Sequence, residues 1–200
     1  MSFRMNRRNL LAAGLSMAAL PVSAWRASAQ ANWPTKPIKI IVPYPVGGQT
    51  DIIARTYGEY VGKQLGQPVI VDNKSGASGI VGSTEVKRAA PDGYTLMLTI
   101  GSSMINNVAL FKELPYDPDK DFVVISAIAS QGIVVAVKED IPAKNLAEFA
   151  ACAKKAGKVT FGTYGAYTAA HLGILELNKQ YGLDIEPVHY RGEAPMWADV

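Results

Sequence analysis

Two segments of this chain have the residue types to hold an anion without help from a cation. The first is Val42-Pro43-Tyr44-Pro45-Val46-Gly47-Gly48-Gln49-Thr50-Asp51. The second is Phe161-Gly162-Thr163-Tyr164-Gly165-Ala166-Tyr167-Thr168. Each passes from a β-rich run through a glycine turn into a helical pattern. The first N–H groups of a helix have no intrahelical acceptor, and the aligned peptide dipoles place partial positive charge there. A carboxylate or phosphate docks readily at such an end. Glycine lets the main chain approach the ligand because no Cβ intervenes. The same residues also suit a plainer role, in which the glycines only make tight turns and Thr50, Asp51 and Thr168 only cap helices. Asp51 is an acid inside a segment read as anion-binding. It complements the helix dipole, or it orients a ligand amine, a hydroxyl or a bridging water.

Enzyme motifs give little. The sequence has no G-x-S-x-G, G-x-x-x-x-G-K-[ST], H-E-x-x-H or G-x-G-x-x-G. His171 and His189 are each a conceivable base, but neither has a partner the sequence identifies, and a structural role is favoured. One cysteine, Cys152, excludes an internal disulfide and a multi-thiolate metal site. Two histidines leave little for zinc or iron. No metal or cofactor is expected. Cys152 lies in a helical run and reads as a small buried hydrophobe.

The elements that must position these segments alternate. Ile38–Val42 reads as a buried strand, and Asp51 opens a helical pattern that Gly66 stops. Val69–Val71 is a second strand, Ile80–Arg88 a helix and Thr95–Thr99 a third strand. This β-α-β-α-β order favours a parallel sheet. Gly101–Phe111 reads as helix and Leu114–Lys120 as loop. Val123–Ala129 and Ile133–Val137 read as strands split by Ser130-Gln131-Gly132. A helix over Asn145–Ala156, a strand over Val159–Gly162, a helix over Thr168–Tyr181 and a strand over Pro187–Tyr190 follow. A last helix begins near Glu193.

The first residues read as an address. Met1–Arg8 is basic, Leu10–Val22 is apolar, and Ala27-Ser28-Ala29 and Ala29-Gln30-Ala31 are small-x-small sites for signal peptidase. The apolar run of 13 residues is too short to cross a bilayer. Arg7-Arg8 resembles a twin-arginine signal, with the general secretory route as the alternative. The net charge of +3 comes from 20 basic and 17 acidic residues. Arg4, Arg7, Arg8 and Arg26 lie in this leader, so the rest carries sixteen basic against seventeen acidic groups. Such a balance has no electrostatic footprint for nucleic acid.

Spaced motifs then become recognisable. Trp33-Pro34-x-Lys36-Pro37-Ile38-x-Ile40-Ile41-Val42-Pro43-Tyr44-Pro45-x-Gly47-Gly48-x-Thr50-Asp51-x-x-Ala54-Arg55 closely resembles the opening of the tripartite tricarboxylate transporter receptors, the Bug family. Leu65-Gly66-Gln67-Pro68-Val69, Ala89-Ala90-Pro91-Asp92-Gly93-Tyr94 and Leu114-Pro115-Tyr116-Asp117-Pro118 match further on. So do Gly162-Thr163-x-Gly165 through Thr168-x-x-His171-Leu172, and Tyr190-Arg191-Gly192-x-x-Pro195.

The resemblance implies an α/β, two-domain, type II periplasmic-binding-protein-like fold whose C-terminal portion is missing. It implies an export signal over 1–31, domain one over 32–126 and domain two over 127–200, both incomplete. It implies a monomeric periplasmic receptor that captures a small carboxylate for a membrane transporter of the tripartite tricarboxylate type. The carboxylate is a di- or tricarboxylate, an acidic amino acid or an aromatic acid. No enzyme activity, metal or nucleic acid is implied. By this likeness the ligand meets Tyr44, Val46, Gly47, Gly48, Thr50 and Asp51 from one domain, with Ser102 lining the cleft. From the other it meets Thr163, Gly165, Tyr167, Thr168 and His171. Two positions depart from the family pattern: Gln49 stands where a small residue is usual, and Tyr167 where glycine is common. Tyr167 either stacks on an aromatic ligand or narrows the pocket for a short diacid. A sensor that presents its ligand to a membrane kinase, and an exported enzyme using His171, are the alternatives. With its C-terminal portion missing, the chain is expected to expose apolar sheet surface and to melt with weak cooperativity.

Overall fold

Ile38–Val42 is β-branched at every position but Lys39, and it forms strand β1 at the centre of a parallel sheet. The structure, a computed structural model, describes residues 33–130 and 132–199. The expected export signal lies outside those residues. All elements below belong to the unit that begins at Lys36.

β1 is flanked by β2 (Val69–Asn73) and β3 (Thr95–Met97), in the order β2-β1-β3. Ile38 pairs with Val69 and Val42 with Asn73 on one side, and Lys39 pairs with Thr95 on the other. A parallel neighbour requires a crossover, and helices supply it. Helix α1 (Gln49–Leu65) joins β1 to β2, and α2 (Ile80–Arg88) joins β2 to β3. α1 ends at Gly66, whose φ of 66° is the left-handed cap that the sequence predicts there. Ile40 and Val42 bury against Ala54 of α1, with Val69, Val71 and Leu96 closing the cluster. Ile38, Ile41 and Val42 are fully buried, and each such side chain stabilises the fold by about 1.5–3 kcal/mol. Lys39 stays outside and pairs with Asp72 at 3.7 Å and Glu85 at 3.8 Å.

After β3 the chain makes a π-helical turn over Ser102–Asn106 that runs into α3 (Asn107–Leu110). The segment read as loop holds a short helix, α4 (Pro118–Asp121), capped by Asp117, whose carboxylate accepts the Asp119 N–H.

A second sheet pairs β4 (Lys158–Thr163) with β5 (Asp184–His189), again parallel, with Lys158 opposite Asp184 and Thr163 opposite His189. α5 (Leu146–Ala156) precedes it, α6 (Ala169–Tyr181) links its strands, and α7 (Glu193–Asp199) follows it. Asn145 caps α5 by accepting the Glu148 N–H at 3.0 Å, and Glu148 reaches back to the Lys144 N–H at 2.8 Å. This reciprocal cap fixes the start of α5 where the sequence places it. Phe149, Ala153, Ile174 and Ile185 form the second core, with Val137 and Phe161 packed on it. Cys152 of α5 is half-buried rather than buried.

One expectation fails. Val123–Ala129 and Ile133–Val137 have strand composition, yet no described residue of either segment is in a strand. Val123, Val124, Ile125 and Val134 are instead exposed. A strand exists only by hydrogen bonding to another, and among the described residues no strand pairs with this segment.

Candidate functional site

In parallel sheets, ligands bind beyond the carboxyl ends of the strands. Here the loops that leave β1, β2 and β3 meet the loops that leave β4 and β5 at one rim. Four contacts define the meeting. The Gln49 N–H donates to the Glu193 carboxylate at 3.1 Å. The Ser78 hydroxyl donates to the Ala166 carbonyl at 3.4 Å. The Asn106 side-chain amide donates to the Tyr167 carbonyl at 3.2 Å, and the Tyr167 ring stands edge-on to Phe111 at 5.5 Å. Two shallow concavities elsewhere, one beside Gly62 and Val69 and one beside Ile80 and Arg88, include no residue of either glycine loop.

The first loop is built from within. Gly47 takes φ of 82°, which glycine adopts freely. Its N–H donates to the Asp51 carboxylate at 2.9 Å. Arg55 donates to the same carboxylate at 3.1 Å and reaches Asn73 at 3.0 Å, and Asn73 donates to the Tyr44 carbonyl at 3.0 Å. Asp51 is buried. Burial pushes its carboxyl upward, but the hydrogen bonds from Arg55 and Gly47 outweigh that and hold it below the ordinary carboxylate range. Asp51 therefore braces the turn and faces inward. Tyr44 faces inward too: its hydroxyl lies 2.5 Å from Ser103 Oγ. Burial raises the phenol's pKa, against opposing hydrogen bonds from Ser103 and Thr99. Val46 is exposed at the tip, and Gly48 and Thr50 are half-exposed. Helix geometry leaves the Thr50 N–H without an intrahelical acceptor. Ser102 is buried at the start of the π-helical turn.

The second loop is braced by hydroxyls. Buried Thr163 places Oγ1 2.8 Å from His189 Nδ1 and 3.3 Å from the Gly165 carbonyl. Thr168 occupies the N-cap of α6, but its hydroxyl turns back to the Gly165 carbonyl at 2.7 Å. Tyr167 is held at φ of 62°, a left-handed conformation that glycine would adopt more easily. Its N–H donates to His171 Nδ1 at 3.1 Å. Burial, and then the neighbouring His189, pushes the His171 pKa down. The two imidazoles meet edge-on at 4.6 Å. Tyr164 is also partly buried, which raises its phenol pKa; the Ala170 N–H hydrogen-bonds it, and the charge of Glu193 is near enough to push it further up.

The two loops named from sequence thus face a common rim, but several of their amides already have acceptors: Gly47, Gln49, Tyr167 and Ala170. The Thr50 hydroxyl, glycine backbone and unclaimed helix-end N–H groups remain for an anion, while the Thr163 and Thr168 hydroxyls are turned to the Gly165 carbonyl. Among the described residues no three His, Cys, Asp or Glu side chains gather as a metal set. Sequence reasoning missed Asn106, Tyr164 and Glu193. A signal for Glu193 existed, since β5, Tyr190-Arg191-Gly192 and α7 repeat the strand, glycine loop, helix layout a third time.

The family model described as "Tripartite tricarboxylate transporter family receptor" matches residues 53–200. The chain belongs to this family. Protein BugT of Bordetella pertussis is 33% identical over 203 residues, covering 98% of this chain and 60% of BugT. Among solved structures, Rpa4515 of R. palustris with adipate superposes with a TM-score of 0.80 at 28% identity, covering 84% of this chain and 56% of that one. MatC of Rhodopseudomonas palustris with bound malate gives a TM-score of 0.72 at 31% identity, covering 83% and 57%. The chain therefore spans a little over half the length of these relatives. Its α/β fold is that of periplasmic binding proteins. The family is one of receptors, and BugD, a periplasmic binding protein, superposes with a TM-score of 0.70 at 33% identity, covering 84% of this chain and 56% of that one.

Proposed function

We propose that this chain is an exported receptor that holds a small organic acid between the loops after β1 and β4 and passes it, unchanged, to membrane subunits of a tripartite tricarboxylate transporter. The observation that carries the reading is the meeting of two glycine turns, each opening a helix, at the carboxyl ends of two parallel sheets. Gly48 and Thr50 of one loop, and Gly165 and Thr168 of the other, offer backbone donors, and the Thr50 hydroxyl adds one more. Asp51, Tyr44 and Thr163 hold those loops in shape from behind. The malate and adipate named for MatC and Rpa4515 make short diacids the first ligands to try.

The division into a first domain over 32–126 and a second over 127–200 belongs to this reading, with one sheet in each. Binding as a monomer, and closure through contacts made only in the closed state, belong to it as well. His171 supports binding over chemistry, because its Nδ1 is occupied by the Tyr167 N–H.

The test is calorimetry against mono-, di- and tricarboxylates, with proton NMR of the acid before and after incubation. Saturable binding of an acid recovered unchanged is the expected result. Turnover, or absence of binding by every acid, would refute the reading.

A further inference from the structure

We propose that Glu193 is a resident carboxylate that holds the ligand's place at the amino end of α1, and that an incoming acid binds by displacing it. The proposal rests on the carboxylate-receptor reading above. Gln49 is the first residue of a 17-residue helix. Its N–H has no intrahelical acceptor and lies at the positive end of the helix dipole. An anion already stands there, and it comes from the same chain: Glu193 Oε2 is 3.1 Å from the Gln49 nitrogen, 144 residues away in sequence.

The surrounding structure holds Glu193 in that place. Gly192, at φ of 113°, packs so closely on the first loop that an added Cβ would lie 3.1 Å from Pro45 Cγ. This close approach sets Glu193 beside α1. Glu193 opens α7, where an acidic side chain would ordinarily serve its own helix end. Its carboxylate instead turns to the end of another helix. On the other flank stands Tyr164, near enough for the charge of Glu193 to act on its phenol. Among the described residues Glu193 forms no ion pair with lysine or arginine, so its charge is met by amide and dipole.

Competition follows from the charge balance. The amino end of α1 already carries two carboxylates, Asp51 in its first turn and Glu193 on the Gln49 amide, so an incoming acid meets like charge unless Glu193 leaves. One N–H makes one good hydrogen bond. An acid that uses the Gln49 amide must therefore push Glu193 out, and its apparent affinity is reduced by the fraction of molecules in which the amide is already taken.

The experiment uses the full chain, with malate and adipate as probes, in wild type, Glu193→Gln and Glu193→Ala. Calorimetry gives the affinities, and nitrogen–proton correlation spectra report the Gln49 amide with and without acid. Removing the resident charge should tighten binding of both acids about two- to five-fold, the size of a helix-end charge effect. The Gln49 amide proton should move upfield in the acid-free variants and converge with wild type at saturating acid. Equal or weaker binding in both variants overturns the displacement and leaves the receptor reading standing. An acid-free Gln49 amide that does not respond to the substitution also overturns it. If no acid binds wild type or either variant, the receptor reading itself falls and takes this proposal with it.

Discussion

The Asp51 carboxylate reaches back four residues to accept the Gly47 N–H at 2.9 Å, so the helix that begins after the first loop also holds that loop's turn closed. Asp51→Ala would strand a turn amide and free Arg55. It should destabilise the protein by about 2 kcal/mol, as expected for a buried acceptor removed from its donors. Asp51→Asn keeps an acceptor and should lose less. The pH dependence has a definite sign. The folded-state pKa of Asp51 is depressed, so its contribution is complete above the unfolded value of about 3.9 and is lost as pH falls toward the folded value. Denaturant melts from pH 5 downward should show that loss in wild type and a smaller one in Asp51→Asn.

Two helical glycines should respond to alanine with opposite signs. Glycine to alanine in a helix normally stabilises by about 1 kcal/mol. Gly173 of α6 has open space where a Cβ would go, and Gly173→Ala should raise the melting temperature. At Gly82 of α2 the new Cβ would lie 2.9 Å from Pro43 Cα and 3.1 Å from the Lys74 carbonyl, both backbone atoms that do not swing aside. Gly82→Ala should therefore destabilise by about 1–3 kcal/mol. Because Pro43 opens the first loop, it should weaken acid binding as well. Thermal melts and calorimetry on the pair check both signs. A stabilised Gly82→Ala would mean that α2 can shift away from the loop.

These positions show what could be read in the sequence. Ile38–Val42 and the helix ended by Gly66 were legible because a β-branched run and a left-handed stop are local signals. The two glycine loops were legible for the same reason. Val123–Ala129 carries an equally good local signal and forms no strand, since a strand needs a partner that its own residues do not encode. The acceptors claiming the loop amides were not legible either. Asp51 on Gly47 is a choice of rotamer, and Glu193 on Gln49 joins residues 144 apart.

His171 supplies a second pH dependence. Its Nδ1 accepts the Tyr167 N–H, which requires the unprotonated nitrogen, and His189 faces it at 4.6 Å. Burial and His189 depress its pKa. For a depressed histidine, stability is complete above the unfolded value of about 6.5 and falls as pH drops below it. Stability measured from pH 7.5 to pH 5 should decline, and the decline should shrink in His171→Asn, which cannot titrate. An unchanged slope in that variant would assign the effect to another group.

Tyr167 sets two terms against each other. A non-glycine residue in the left-handed region is strained by about 1–2 kcal/mol, while its edge contact with Phe111 returns about 0.5–1.5 kcal/mol. Tyr167→Gly removes both and should leave the melting temperature nearly unchanged. Tyr167→Ala removes the ring but keeps the strained backbone, and should destabilise by about 1 kcal/mol. The ring packs on Phe111 across the rim, so it works as a wall that narrows the space between the loops. Opening that wall should favour the longer diacid: the ratio of adipate to malate affinity should rise in Tyr167→Gly. If instead an aromatic acid such as benzoate binds wild type and is the ligand most weakened by the substitution, the ring stacks on its ligand and the wall is the wrong description.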